Sequence, residues 1–387
     1  MQYHSGGILN GTRCINSALP DPNFPICEHE TNRTLVPAMQ ESVAGAILGC
    51  AVGDAIGLPY EGVSKRRGVR LLGPPDRHRF VWGRGMVSDD TEHTCMVAQA
   101  LCASPTDADL FARQLGWRLR WWLAGVPAGI GSATLQATLK LWIGFSPSRS
   151  GVFSAGNGPA MRSPILGAAI DDIDTLRRFV RASTQLTHTD PKAFYGAFAV
   201  AVAAWCAKRR IDTPLEFFRQ FRSAIGTETS NEFDSLIVRV ENSLAADETT
   251  EAFAESLGCG QGVSGYVYRT VPVVLHCWLR HPQDFGLAIR TMIQCGGDTD
   301  TTAAIVGAII GSAVGRTGIP NDWVAGLWEW PRSVDWMERL AKATRHAIES
   351  GTPVRPPRVF PMVSLARNLV FLNVVLAHIA RRLLPPY

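Results

Sequence analysis

Two short stretches hold the side chains best placed to do chemistry. In Cys295-Gly296-Gly297-Asp298-Thr299-Asp300-Thr301-Thr302, a glycine turn leads into two carboxylates and threonine hydroxyls at the start of an apolar helical run. Far upstream, Ser88-Asp89-Asp90-Thr91 repeats the arrangement before the helix-forming run Thr91 to Leu101. Taken alone, either motif reads as an ordinary helix N-cap. Taken together, they read as halves of one site. Four carboxylates in one place repel, and without a cation their pKa values rise until the charges are lost. Hard divalent ions relieve that repulsion. Carboxylate and hydroxyl oxygens with no adjacent Cys or His pair suit Mg²⁺ or Mn²⁺ better than zinc, and two ions about 3.5 to 4 Å apart are a known arrangement.

Something rigid must bring such distant motifs together. From Glu41 the pattern is helical, and Gly45, Gly49 and Gly53 fall on one face; Gly307, Gly311 and Gly315 repeat the spacing. Each glycine gives up about 1 kcal/mol of helix stability against alanine, so such a row implies that another backbone comes very close. The two glycine-faced helices are expected to pack together, one ending near Asp54 and Glu61, the other starting at Asp300. Between Ser64 and Arg84 an arginine-rich loop joins Glu61 to Ser88 and could attract an anion. The glycine-rich loops Gly125 to Ser132 and Gly151 to Ser163 expose amides of the kind that cradle phosphate oxygens. His188 follows Thr187 and has a pKa compatible with either a structural or a cleft role. Tyr266 follows a glycine turn and could stack on a purine or pack in the core.

In this order the motifs resemble one family, the ADP-ribosylglycohydrolases, also called the dinitrogenase reductase activating glycohydrolase family. The resemblance runs from Gly45 to about Gly315. It is carried by Gly53-Asp54-Ala55-Ile56-Gly57, Ser88-Asp89-Asp90-Thr91, Gly156-Asn157-Gly158-Pro159-Ala160-Met161-Arg162, Thr187-His188, Ser264-Gly265-Tyr266-Val267 and Gly296-Gly297-Asp298-Thr299-Asp300-Thr301. It implies an all-α, compact single domain with a dinuclear cleft for two Mg²⁺ or Mn²⁺, hydrolysing the bond between ADP-ribose and a modified side chain, with arginine the first choice of acceptor. The implied metal ligands are Ser88, Asp89, Asp90, Asp298, Asp300 and Thr301. Ser88 stands where Thr is more frequent but keeps the hydroxyl. Catalytic roles fall to Glu61, Asp89, Asp90 and Asp300, with Glu61 gating the site or exchanging protons with the leaving group. Substrate contacts fall to Gly156, Asn157, Gly158, Met161, His188, Gly265 and Tyr266, with the Gly156 loop against the pyrophosphate and a ribose, and Tyr266 beside adenine. Pro159 removes an amide donor expected in that loop.

At 387 residues, 46% hydrophobic and 19% charged, the chain has the composition of a soluble globular protein with a sizeable core. Net charge of +4 neither demands nor excludes an anionic partner, and no stable nucleic-acid complex is expected. Nine cysteines without a Cys-x-x-Cys pair argue against a disulfide framework or a structural zinc and suit a cytoplasmic setting. No signal peptide is recognisable, and the run Ala303 to Val314 is too short for the roughly 20 residues of a membrane span.

The expected organisation is an irregular arm over 1–40, the glycohydrolase domain over 41–360 and an apolar helix within 361–387. That last helix has a limited polar face, which points to packing against the core or a partner. Phe24, Ile26 and Leu35 offer the arm apolar anchors, which leaves two other functions open. The chain could inhibit an ADP-ribosyltransferase through residues 1–40, as an immunity protein does, or bind ADP-ribose without turnover. Trp117, Trp121 and Trp122 are expected in the core or at a contact surface, and carry no chemistry in this reading.

Overall fold

The computed structural model describes residues 28–384. Among them every regular element is a helix, and β-type pairing is limited to isolated bridges, so the all-α expectation holds. Two helices form the axis of the molecule, Glu28–Gly57 and Thr299–Val314. From Val43 onward in the first, and throughout most of the second, small and apolar residues lie on every side, and a helix stretch of that kind belongs in the interior. Val43 to Ile56 and Ala303 to Ile310 lie almost wholly buried.

The glycine rows meet as expected, and the pairing is antiparallel. A Cβ built on Gly45 would stand 2.0 Å from the Gly311 carbonyl oxygen, one on Gly49 2.2 Å from that of Gly307, one on Gly53 2.1 Å from that of Ala303, and one on Gly57 2.3 Å from that of Thr299. No side chain fits between these backbones. The register delivers the end of one helix to the start of the other: Thr299 Oγ1 donates to the Gly57 carbonyl at 2.9 Å. A short turn, Leu58–Tyr60, then places Glu61 beside the acidic motif, and the Gly62 amide donates to the Gly297 carbonyl at 3.1 Å. Gly297, at φ +84°, has Val263 O only 2.1 Å from where a Cβ would sit, so both its conformation and its surroundings require glycine.

The helix Asp89–Ala103 packs against the first helix and against Val334–Ser350. The C-terminal helix, Pro361–Arg382, is fixed to the body by a buried ion pair, Arg367 with Glu329, and by Asn368 donating to the Gly125 carbonyl at 2.8 Å. Glu41–Tyr60 and Pro361–Arg382 are both long and apolar enough to cross a membrane by composition alone, and the first is 94% buried inside the protein.

Two expectations are corrected. Residues 28–40, expected to be irregular, belong to the first helix, while residues 1–27, with Phe24 and Ile26, lie outside the described residues. The Ser64 to Arg84 segment is not all loop, since Lys65–Leu72 is helical and ends at Gly73 with φ +80°. Of the clustered tryptophans, expected in the core or at a contact surface, Trp122 is buried with Nε1 donating to Glu92 Oε2 at 2.6 Å, and Trp117 and Trp121 are exposed. The seven described cysteines recorded as free thiols are all buried.

Candidate metal centre and substrate cleft

Ser88 caps its helix in the ordinary way, accepting from the Asp90 amide at 3.2 Å, and its hydroxyl donates to Asp90 Oδ2 at 3.1 Å. From the other motif, Thr301 Oγ1 donates to the same oxygen at 3.2 Å. The two acidic stretches are therefore in direct contact. Ser88 is thus a helix cap whose hydroxyl also meets the carboxylate that Thr301 contacts.

Glu61, Asp298 and Asp300 bring carboxylate oxygens within 4.8 Å of one another, the one such group of possible metal-holding residues found among those described. Asp90 and Asp300 are buried, yet Oδ1 of each has no hydrogen-bond partner. A buried carboxylate oxygen without a partner is costly. Burial pushes the Asp90 carboxyl well up, and the charges of Asp54, Asp89 and Asp298 push it further. Asp300 is raised well above its usual range by burial, Glu61, Asp298 and Asp90, and Asp89 by burial, Asp54 and Glu92. Burial and Asp298 raise Glu61, which lies at the exposed edge of the group. Crowded acids with orphaned oxygens and neighbouring hydroxyls form an all-oxygen donor set that a hard cation fits.

The substrate residues named from sequence also converge, with one exception. The loop around Gly156 is held between two others: Val152 bridges to His188 on one side and Gly156 to Tyr266 on the other. Asn157 joins this loop to the acids, with Nδ2 donating to Asp298 Oδ2 at 2.7 Å and to Thr270 Oγ1 at 3.1 Å, and its amide to the Gly265 carbonyl at 2.9 Å. Gly265 lies against the Asp298 carboxylate and Gly158 against the His188 ring. Tyr266 is partly exposed at the rim, where Lys192 Nζ donates to its hydroxyl at 3.1 Å. Met161 is the exception. Its side chain is buried among core residues and its amide donates to the Asn157 carbonyl, so it supports the loop from beneath.

Burial, reinforced by the Arg162 guanidinium, pushes the His188 pKa down to about 3, so the ring is neutral at physiological pH. Its Nδ1 lies 2.9 Å from Thr187 Oγ1, which accepts from Arg162 Nη2 at 2.7 Å. Arg162 is fully buried and burial lowers it to about 9; it also donates to Ser183 and lies 3.3 Å from His93 Nδ1.

Three residues had no role in the sequence reading. Asp54 is buried, and its carboxylate accepts from the Ser88 amide at 3.0 and 2.9 Å, from the Thr91 amide at 3.2 Å and from the Thr91 hydroxyl at 2.5 Å. It holds the Ser88 turn in place, and burial raises its pKa to about 6. Arg162 holds Thr187 and His188, and Lys192 braces Tyr266. The first two stand inside quoted motifs, so the signal was present. Their long-range contacts were not visible.

A family profile described as ADP-ribosylglycohydrolase matches residues 35–353. An uncharacterized protein of Archaeoglobus fulgidus is 30% identical over 78% of this chain and 95% of its own length. The ADP-ribosyl-[dinitrogen reductase] glycohydrolase of Rhodospirillum rubrum is 27% identical over 75% of this chain and 92% of its own. ADP-ribosylhydrolase ARH3 of Xenopus tropicalis is 26% identical over 80% and 97% respectively. Among solved structures, one titled ADP-ribosylglycohydrolase-related protein complex shares the fold, with a TM-score of 0.55 and 24% identity over 81% of this chain and 99% of its own. With the motifs, the helical fold and the profile in agreement, the chain belongs to the ADP-ribosylglycohydrolase family and is an enzyme of that glycohydrolase class.

Proposed function

We propose that the protein hydrolyses the glycosidic bond linking ADP-ribose to a modified protein side chain, arginine first among acceptors, with two Mg²⁺ or Mn²⁺ ions held by Ser88, Asp89, Asp90, Asp298, Asp300 and Thr301. The observation that carries this reading is the pair of buried, unpartnered oxygens, Asp90 Oδ1 and Asp300 Oδ1, in an all-oxygen donor set. Bound ions would neutralise these acids and supply Lewis acidity for attack of water on the anomeric carbon.

The chain's own groups do the rest. In the overall reaction the oxygen of water bonds to the anomeric carbon, the bond to the acceptor atom breaks, and that atom takes a proton. Glu61, at the exposed edge with a raised pKa, is placed to exchange that proton with the leaving group. Asn157 fixes Asp298 and ties it to the Gly156 loop, whose amides face the pyrophosphate in this reading. Neutral His188 supports the same loop and contributes no charge there. Tyr266, braced by Lys192, offers a ring face to adenine.

The test is release of ADP-ribose from arginine-linked and serine-linked protein, with Mg²⁺ or Mn²⁺, with chelator, and with Asp300→Asn. Release from the arginine-linked substrate that requires both metal and Asp300 supports the proposal. Release from the serine-linked substrate alone reassigns the acceptor. No release from either defeats the hydrolytic reading and favours binding without turnover or inhibition of a transferase. The inhibitory reading would use residues 1–27, which lie outside the described residues.

A further inference from the structure

The C-terminal helix, Pro361–Arg382, buries several of its polar residues and exposes a stripe of apolar ones. Its polar residues face the body: Arg367 and Asn368 are buried, and His378 Nε2 and Arg382 Nη2 each reach the Pro59 carbonyl at 3.0 Å. Phe371 packs inward with Leu58, Phe80 and Met86, but a stripe of other apolar residues faces away, with Met362 75%, Leu369 49%, Leu376 54% and Leu383 71% exposed. An apolar stripe of this length on a helix already anchored by its polar side marks an interaction surface.

The outward residues recur at alternating intervals of four and three: Met362, Ala366, Leu369, Asn373, Leu376, Ala380, Leu383. That is a coiled-coil seam, with Met and Leu at one seam position and Ala, Asn, Ala at the other. The order also reads the same in both directions about Asn373, with Met362 in place of a fourth leucine.

We propose that this seam binds a second copy of the same chain, docked antiparallel across a two-fold axis beside Asn373. A two-fold contact must be self-complementary, so that where residue i meets j, j also meets i. Antiparallel docking sets Leu369 of one copy against Leu376 of the other, Ala366 against Ala380, and Met362 against Leu383, while Asn373 meets its own counterpart. The alanines allow close approach, and a single seam Asn fixes register.

Charge selects the same orientation. Residues 350–387 contain five arginines and no Asp or Glu. Parallel docking would bring the two Arg381-Arg382 pairs together; antiparallel docking about Asn373 separates them by roughly 25 Å, the rise of about 17 helical residues, still well beyond the ~8 Å screening length. The face is also large enough. A strip about 33 Å by 10 Å on each copy, with side-chain relief and flanking Phe360, Val370 and Ile379, brings the pair to the roughly 1,000 Å² that a specific interface needs. Docking would brace the helix whose inner face holds the turn before Glu61.

Sedimentation velocity on the full chain at micromolar concentration tests this, with Leu376→Asp and Leu369→Lys as independent seam variants. The parent is expected at twice the mass of one chain, and either variant at single mass, with self-association weakened about 100-fold or more. Orientation is read by mild oxidation: Asn373→Cys should couple across the axis beyond the parent's background, whereas Leu383→Cys, facing Met362, should not couple to itself. A monomeric parent, a dimer indifferent to both seam substitutions, or self-coupling of Leu383→Cys would overturn the proposal. So would a monomer that pellets with anionic phospholipid vesicles, which would make the stripe a lipid contact.

Discussion

Thr301 donates its hydroxyl to Asp90 Oδ2 over 3.2 Å, joining two motifs 211 residues apart and leaving Asp90 Oδ1 without a partner. Asp300, next in the chain, is buried with an equally unpartnered oxygen. Asp300→Asn keeps the shape and removes the charge. It should lower ADP-ribose release at least about 100-fold, in the range for losing one preorganised electrostatic group. The parent should gain about 2.7 kcal/mol at a metal concentration 100 times its Kd, read as a rise in melting temperature that chelator reverses. If Asp300→Asn kept that rise, Asp300 would not be a ligand.

The axis of the molecule predicts a sharper contrast. In Gly49→Ala the new methyl would lie 2.2 Å from the Gly307 carbonyl oxygen, and only movement of two buried helices could relieve it. A loss of about 3 kcal/mol or more is expected in urea titration. Gly260→Ala, where the nearest atom is Glu255 Cγ at 4.0 Å, should stay within about 0.5 kcal/mol. Equal effects would mean that the glycine row is not a contact.

These glycines also show what the sequence could and could not reveal. A helix tolerates a row of glycines only where another backbone takes the space, so Gly45, Gly49 and Gly53 announced their partner before any coordinates. The acids announced themselves by type and by hydroxyl neighbours. Asp54 stood inside a quoted motif, but its work is to accept hydrogen bonds from Ser88 and Thr91, and nothing in the local sequence specifies such distant partners. Met161 is packed among core residues, which its place in a loop motif did not signal. A residue inside a loop motif can point down as readily as up, and a thioether has no polar signal to mark the difference. In the C-terminal helix the hydrophobic pattern was plain, but burial of Arg367 and exposure of Leu376 reverse the usual assignment of faces.

Arg367 grips the chain just before the site. Its guanidinium donates to Glu329 at 2.9 and 2.6 Å and to the Val87 carbonyl at 2.6 Å, while the Val87 amide donates to Glu329 Oε2 at 3.3 Å. Arg367→Ala strands a buried carboxylate and should cost about 3 to 5 kcal/mol in urea unfolding. Replacing both partners, Arg367→Met with Glu329→Leu, should recover most of that loss. If the single variant unfolded like the parent, the ion pair would not be what fixes this helix.

His188 makes acid stability a readout of the cleft. Its folded pKa, about 3, lies below the unfolded value near 6.5, so between these values the unfolded chain binds the extra proton and stability falls as pH falls. Relative to His188→Gln, the parent should lose up to about 1.4 kcal/mol per pH unit below 6.5, and the difference should be flat above it. Urea midpoints from pH 7 to 4 provide the check. A difference that did not change with pH would mean that the folded ring takes up its proton as readily as the unfolded one.

Arg382 extends the argument from stability to rate. It donates to the Pro59 carbonyl at 3.0 Å and the Glu61 carbonyl at 2.8 Å, holding the turn that presents Glu61 to Asp298 and Asp300. Because it binds backbone and lies partly exposed, Arg382→Ala should cost no more than about 1.5 kcal/mol of stability. Turnover should suffer more. A turn free to move misplaces the Glu61 carboxyl, and a tenfold fall in kcat corresponds to about 1.4 kcal/mol of barrier. KM should change less, since adenine and pyrophosphate lie against other loops in this reading. Arg382→Lys keeps the charge but lacks the planar fork that reaches two carbonyls, so its kcat should fall between the parent and the alanine variant. If Arg382→Lys matched the parent, charge alone would be what matters. If KM rose while kcat held, Glu61 would bind substrate and not exchange its proton.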